Sequence, residues 1–270
     1  MRDAWLILGN LALPICAGLT FFALARYVKH IAPMRTLMTG ETTYRGAAWG
    51  FAFFGAYLIT RPLQIFLGPY PMPLIVNEIR EFCMMGLFAP AVFVAMMSLC
   101  FGDRLPRKLV GGIFAISFLL ALAFVMLNAQ AMGGAEVIFR LGNYPAYDGL
   151  WFKNPDPRGQ SLMSILFAIR FIDPLFLLLL AGVIVFREAR HYPPEKAAVY
   201  NNMPRKLYLL SAAVFSFPLS MLLTGGLVVF FKIPNQWWIY YLGALISGFL
   251  EAASLSLPLR KDVQVSEHAM

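Results

Sequence analysis

The sequence is short of charge. Asp, Glu, Lys and Arg make up only 13% of its 270 residues, where soluble domains carry about 25%. Histidine is nearly absent: His30, His191 and His268 fall in connections or in the tail, so none is placed to hold a haem across a bundle. No lysine lies in the interior of an apolar run, which excludes a retinal Schiff base. The three cysteines, Cys16, Cys83 and Cys100, sit inside apolar runs with no metal-ligand spacing and read as small packed residues. No HExxH, GxSxG or glycine-rich phosphate loop occurs, so the common hydrolytic and nucleotide sites are missing. Glu78-x-x-Glu81 has no histidine to complete a di-metal site. No cofactor is expected, and no catalytic constellation points to an enzyme.

What is abundant is apolar. Hydrophobic residues make up 60% of the chain and the mean hydropathy is +0.68. A spanning helix needs roughly 20 mostly apolar residues. Seven stretches qualify, at about 4–27, 46–68, 76–101, 108–132, 162–186, 206–231 and 237–258. The expected fold is therefore an all-α integral membrane protein with seven transmembrane helices. The membrane domain covers 1–262, and 263–270 is a short tail. The first stretch is too long for the apolar part of a signal peptide and ends in Ala-Arg-Tyr-Val-Lys-His, so it reads as a span.

Lys and Arg set the orientation. The connections after spans one, three and five, with the tail, carry fourteen of them; the opposite face carries five. The positive-inside rule then puts the N-terminus outside and the C-terminus in the cytoplasm, and the expected location is a cell membrane, of the bacterial inner-membrane kind. The net charge of +8 comes mostly from this asymmetry. Its expected partner is anionic lipid at the headgroups, not nucleic acid.

The longest connection, 133–160, lies on the outer side and is rich in aromatics, Pro and Gly. It reads as an irregular segment with consecutive turns at Asn154-Pro155-Asp156-Pro157, either an interfacial loop or a lid. Trp237, Trp238, Tyr240 and Tyr241 read as an interfacial belt. Gly182, Gly225, Gly226, Gly243 and Gly248 read as sites of close helix contact, and Met84, Met85, Met96 and Met97 as adaptable packing. A shift of 160 residues lays Pro14 on Pro174, Pro33 on Pro193 and Arg45 on Arg205. This suggests a parallel 3+1+3 repeat with span four as the linker.

The functional signal is charge inside the apolar runs, which costs at least about 2.5–3.5 kcal/mol per group on insertion scales. Arg170 and Asp173 lie three apart and so share a helix face. Asp173 falls roughly 17 Å into its span, near the midplane. Pro174 frees the carbonyl of Arg170. Arg61 and Glu81 have opposite sign and similar depth and are the expected interhelical pair; Arg170 and Asp173 are expected to pair with each other. Glu78 shares a face with Glu81, while Arg80 points elsewhere and is expected to snorkel. Glu251, in the last span, has no partner visible in the sequence. Arg61, Glu78, Glu81, Arg170 and Asp173 are thus expected to line a polar cavity open to the outside.

Two functions fit. One is a receptor-like sensory module that binds a small polar ligand in that cavity, capped by 133–160, and signals to a cytoplasmic partner. In helix number and orientation the chain resembles bacterial seven-helix sensor domains, which implies an output segment after the last span, beginning at LRKDVQVSEHAM. The other is a small-solute or proton-coupled transporter, or a subunit of one, with a midplane site at Arg170 and Asp173.

Overall fold

A computed structural model describes residues 2–39, 41–68, 71–102, 105–151, 157–200, 202–227, 231 and 236–257. The tail 263–270 and the turns expected at 154–156 lie outside the described residues. Helices dominate. In chain order they are α1 (Arg2–Ile7), α2 (Leu13–Thr39), α3 (Glu41–Ile59), α4 (Arg61–Phe66), α5 (Met72–Phe82), α6 (Ala89–Phe101) and α7 (Arg107–Ala131). After a hairpin come α8 (Pro157–Arg170), α9 (Leu177–Arg190), α10 (Pro194–Val199), α11 (Met203–Gly225) and α12 (Trp237–Ser256). The π-helical segments Leu8–Ala12, Cys83–Phe88 and Phe171–Phe176 join α1 to α2, α5 to α6 and α8 to α9.

Among the described residues, six helical stretches are long and apolar enough to cross a membrane: Ala4–His30, Met72–Phe101, Arg107–Gln130, Ser164–Arg190, Met203–Gly225 and Trp237–Ser256. The segment expected as the second span is divided at Thr60, whose hydroxyl turns back to the carbonyls of Ala56 (2.7 Å) and Tyr57 (3.1 Å). Pro62 sits in the first turn of the short α4 that follows, where its missing N–H costs nothing.

The long helices close into a ring. α2 packs on α3, α3 on α6, α6 on α9, α9 on α11, α11 on α12, and α12 back on α2. α7 stands outside, against the α5–α6 stretch, and is the most exposed of the six apolar helices, whereas Met72–Phe101 is the most enclosed. The ring's centre is aromatic. Phe54 stacks on Phe88 at 4.1 Å between ring centres and meets Phe21 (4.7 Å) and Phe217 (4.6 Å) edge-on. Met84, Met85, Met96 and Met97 fill the space around them, as their flexibility suits. Gly243 lets α12 lie against Ser220 of α11, and a Cβ on Gly248 would stand 2.9 Å from Thr20. A Cβ added to Gly225 or Gly226 would meet no described atom of another element within 4 Å, so neither glycine is needed for the close contact expected of them. Cys16 is exposed and Cys83 and Cys100 half-buried, a looser setting than the packed interior expected.

The connection expected to be irregular contains a β-hairpin. β1 (Met132–Leu141) and β2 (Tyr144–Trp151) pair antiparallel, with Leu141 opposite Tyr144. The two-residue turn is Gly142-Asn143, with Gly142 at φ +61°, a conformation that glycine adopts without a Cβ penalty. Phe139 and Ala146 are buried with Leu6 and Ile65, and Phe139 meets Phe66 edge-on at 6.2 Å. The hairpin therefore rests on α1 and α4, with β2 also touching α5. Its end of the ring is called the hairpin end below.

Candidate functional site

At the hairpin end a chain of polar side chains crosses four helical stretches. It begins on the π-segment Leu8–Ala12, where Asn10 donates to the carbonyl of Leu6 at 3.0 Å. The Asn10 carbonyl oxygen accepts two bonds from Arg61 on α4, from Nε (3.2 Å) and Nη2 (2.7 Å). Arg61 Nη1 donates to Gln64 Oε1 at 3.1 Å, one turn along the same short helix. Gln64 Nε2 donates across to Asn77 Oδ1 on α5 at 3.1 Å. Arg80, one turn beyond Asn77, donates to the same Gln64 Oε1. Its Nε reaches the Tyr57 carbonyl (2.9 Å) and its Nη2 the Tyr241 hydroxyl (3.3 Å). The guanidinium also lies over the Tyr57 ring, 4.5 Å from its centre, a cation–π contact that gains strength where water is excluded.

Next to this network lie two acid contacts. Glu81 forms an ion pair with Arg170, whose guanidinium also lies over Phe124 at 5.1 Å. Glu78 accepts from the amide of Asn128 on α7. Tyr240 closes the layer from below, donating to the Tyr57 hydroxyl at 2.8 Å. Beneath it sits the aromatic centre, with Phe217 5.0 Å from the Tyr240 ring.

The structure thus gathers Arg61, Glu78, Glu81 and Arg170 into one region but rewires them. Arg61 does not pair with Glu81; it is taken up by the amides of Asn10 and Gln64. Glu81 pairs with Arg170 instead, so Arg170 does not pair with Asp173. Asp173 faces α7, where Ser117 donates to it at 3.3 Å. Its backbone is non-helical (φ −141°, ψ 119°), because a proline at the next position disfavours the helical region. The break expected at Pro174 is present, and it turns the acid away from Arg170. Arg80 does not snorkel. It is buried, 3% exposed, because its span is enclosed by neighbours and offers no open side along which to reach water.

The expected open cavity is filled. Arg61, Glu81, Asp173 and Gln64 are all at most 5% exposed, and the hairpin lies over α4. Two surface clefts lie elsewhere. One of about 530 Å³ is lined by Asn202, Pro204, Arg205, Tyr208 and Leu209; one of about 230 Å³ runs between α11 and α12. Tyr240 and Tyr241 are 4% and 3% exposed and belong to the core, not to an interfacial belt.

Glu251 stands apart, buried in α12 with its Oε2 making no hydrogen bond among the described residues. At the same end of the molecule Lys206 donates to the carbonyls of Ser254 (2.6 Å), Leu255 (3.4 Å) and Leu257 (2.6 Å). Ser254 Oγ returns a bond to the Lys206 carbonyl at 3.0 Å. The ammonium caps the last carbonyls of α12, where the helix dipole is negative.

Sequence reasoning missed Asn10, Gln64, Asn77, Asn128 and Lys206. For three of them a signal existed. Gln64 follows Arg61 by three residues and Asn77 precedes Arg80 by three, so each amide shares a face with a charge; Lys206 opens an apolar run instead of preceding it. Among the described residues no group of three or more His, Cys, Asp or Glu is placed to hold a metal ion. No known family model matches the sequence, and no curated protein is similar to it.

Proposed function

We propose that the chain is a non-catalytic, receptor-like membrane module that binds a small polar ligand at the hairpin end and passes a helix displacement to a cytoplasmic partner. In this reading α3 and α4 together form a seventh crossing. The hairpin end faces out, and the C-terminus lies in the cytoplasm of a bacterial cell. The charge asymmetry of the connections supports that orientation. The ring with α7 outside it suits a parallel 3+1+3 plan, three crossings on either side of a linker.

The observation that carries the proposal is the division of the ring into two layers. The hydrogen-bonded arginines and amides lie at the hairpin end, and the centre beneath them is closed by Phe54, Phe88 and Phe217. A polar site above a packed aromatic floor suits reception without passage. The hairpin, resting on the helix that carries Arg61 and Gln64, is the element that admits or retains the ligand.

A transporter, or a subunit of one, is the second reading. It is favoured by the broken helix at Asp173, since interrupted helices beside ionisable groups are the usual material of midplane sites. Uptake of radiolabelled organic acids, amino acids and sugars into proteoliposomes separates the two. We expect accumulation no greater than in protein-free vesicles. Uptake that Asp173→Asn abolishes would end the receptor reading and establish the other.

A further inference from the structure

Helix α7 stands outside the ring, and one stripe of it faces inward. Ser117, Ala121, Phe124 and Asn128 follow one another at helical spacing and are all at most 2% exposed. Each meets a group on the ring. Ser117 donates to Asp173 at 3.3 Å, Ala121 lies against Gly86, Phe124 lies under the Arg170 guanidinium, and Asn128 donates to Glu78. The stripe therefore addresses two acids and brings no cation to either.

At Glu78 the hydrogens do not suffice for a carboxylate. A carboxylate only accepts, whereas a protonated carboxyl both accepts and donates. Asn128 Nδ2 is bonded to Glu78 Oε1. Glu78 Oε2 and Asn128 Oδ1 are left buried and without a hydrogen-bond partner among the described residues, and two acceptors cannot satisfy each other. Asn77 Nδ2, also buried and without an acceptor, lies within reach of Glu78. It can serve Oε2, but that leaves Asn128 Oδ1 as it was. One proton on Oε2 settles all three atoms: the O–H donates to Asn128 Oδ1, and the oxygen keeps a lone pair for the Asn77 amide. Carboxyl and amide are both planar forks, so a bond at one prong allows a second at the other.

The surrounding charges agree. Glu81, one turn along α5, and Arg170 are charged neighbours of Glu78, and they pair with each other. α4 brings Arg61, which donates to Asn10 and Gln64. Arg80 projects from the other side of α5, toward Tyr57 of α3 and Tyr241. A buried acid without a counter-charge of its own takes up a proton instead of staying ionised. Glu78 is 9% exposed, against 4% for Glu81 and 1% for Asp173, so of the three it is the one that water at the hairpin end reaches. We infer that Glu78 is a proton-binding site, and that its protonated carboxyl, joined to Asn128 by two hydrogen bonds, fastens α7 to α5. The proton comes from water and returns to it. Its loss leaves a carboxylate facing the Asn128 oxygen, and that contact repels. α7 ends at Ala131 and runs directly into β1, so the root of the hairpin loosens with it. The inference stands for a receptor and a transporter alike.

Infrared spectra of the full chain in phosphatidylcholine nanodiscs read the proton directly, as the C=O stretch of a protonated carboxyl. At neutral pH we expect the difference between wild type and Glu78→Gln to show the loss of such a band. A difference that shows the loss of carboxylate bands alone overturns the inference. Asn128→Leu should keep the band and move it to higher frequency, because the carbonyl loses the N–H it accepts. An unmoved band overturns the pairing, and this arm decides the matter if Glu78→Gln does not fold. Thermal unfolding gives a second reading. Gln offers Asn128 the same donor and acceptor as the protonated acid, so in mildly acidic medium Glu78→Gln should keep the wild-type Tm. Asn128→Leu should lose at least about 2–4 °C there, the shift of roughly one favourable contact. A native state that holds a proton the unfolded chain has released loses stability as the medium turns alkaline. The Tm of wild type should therefore fall further in alkali than that of Glu78→Gln; equal falls would show that no proton at Glu78 is linked to the fold, and would overturn the inference.

Discussion

Removing one member of a buried ion pair leaves the other charged and unpaired, which is dearer than removing both. The Glu81–Arg170 contact makes this measurable. Glu81→Gln alone should destabilise the protein by about 3 kcal/mol, the low end for a buried pair, because the Arg170 side chain is 24% exposed. Arg170→Gln alone should cost a similar amount, and the double variant clearly less than the sum. Denaturant unfolding of the four proteins in mild detergent gives the coupling energy; strict additivity would mean the pair contributes nothing. Individual residues were partly legible in the sequence. Charge within apolar runs marked Glu81 and Arg170 correctly as residues needing partners. Which partner each took was not legible, since pairing depends on helix rotation, and the break before Pro174 rotates Asp173 away. Neutral amides gave a weaker sign than charges, yet they hold Arg61.

Helices were the most legible element, because length and hydropathy alone delimit a membrane-spanning stretch. The hairpin was not, although Gly142-Asn143 between VIFRL and the aromatic-rich YPAYDGLW is a turn signal in its own right; against a background of helices, a ten-residue strand has no competing periodicity to betray it. The N-terminal end of α11 was also misjudged, for Lys206 counted as a loop charge. As a cap it serves two helices at once. Lys206→Met keeps the packing stem but leaves the carbonyls of Ser254 and Leu257 without their donor, and should cost about 1–2 kcal/mol. Hydrogen exchange should rise at 251–257, where the last turn of α12 frays, and stay unchanged in β1 and β2. Unchanged exchange at 251–257 would show that the cap is idle.

For the whole molecule, the proposed orientation is open to labelling. In a background with Cys16, Cys83 and Cys100 replaced by alanine, a cysteine at Tyr144, 73% exposed at the hairpin tip, should react with a membrane-impermeant maleimide on intact spheroplasts. A cysteine at Glu195, in the connection between α9 and α11, should react only after permeabilisation. The opposite pattern would invert the receptor and put the arginine network on the cytoplasmic side. The division into a polar and an aromatic layer could not be read from the sequence, because Tyr240 and Tyr241 look interfacial until the ring closes around them.

The π-helical segments carry a consequence of their own. In Leu8–Ala12 and Cys83–Phe88 the bulge inserts one residue into a turn, and one residue in an α-helix is about 100° of rotation. Two of them, Cys83–Phe88 and Phe171–Phe176, touch each other. Excising a single residue from Cys83–Phe88 would mend the regular hydrogen bonding there, and would swing Ala89–Phe101 through more than a quarter of a circle, taking Val92 away from Gly50, beside which its side chain now lies. What those turns store is a count, so substitutions within them will be forgiven where a gap of one will not.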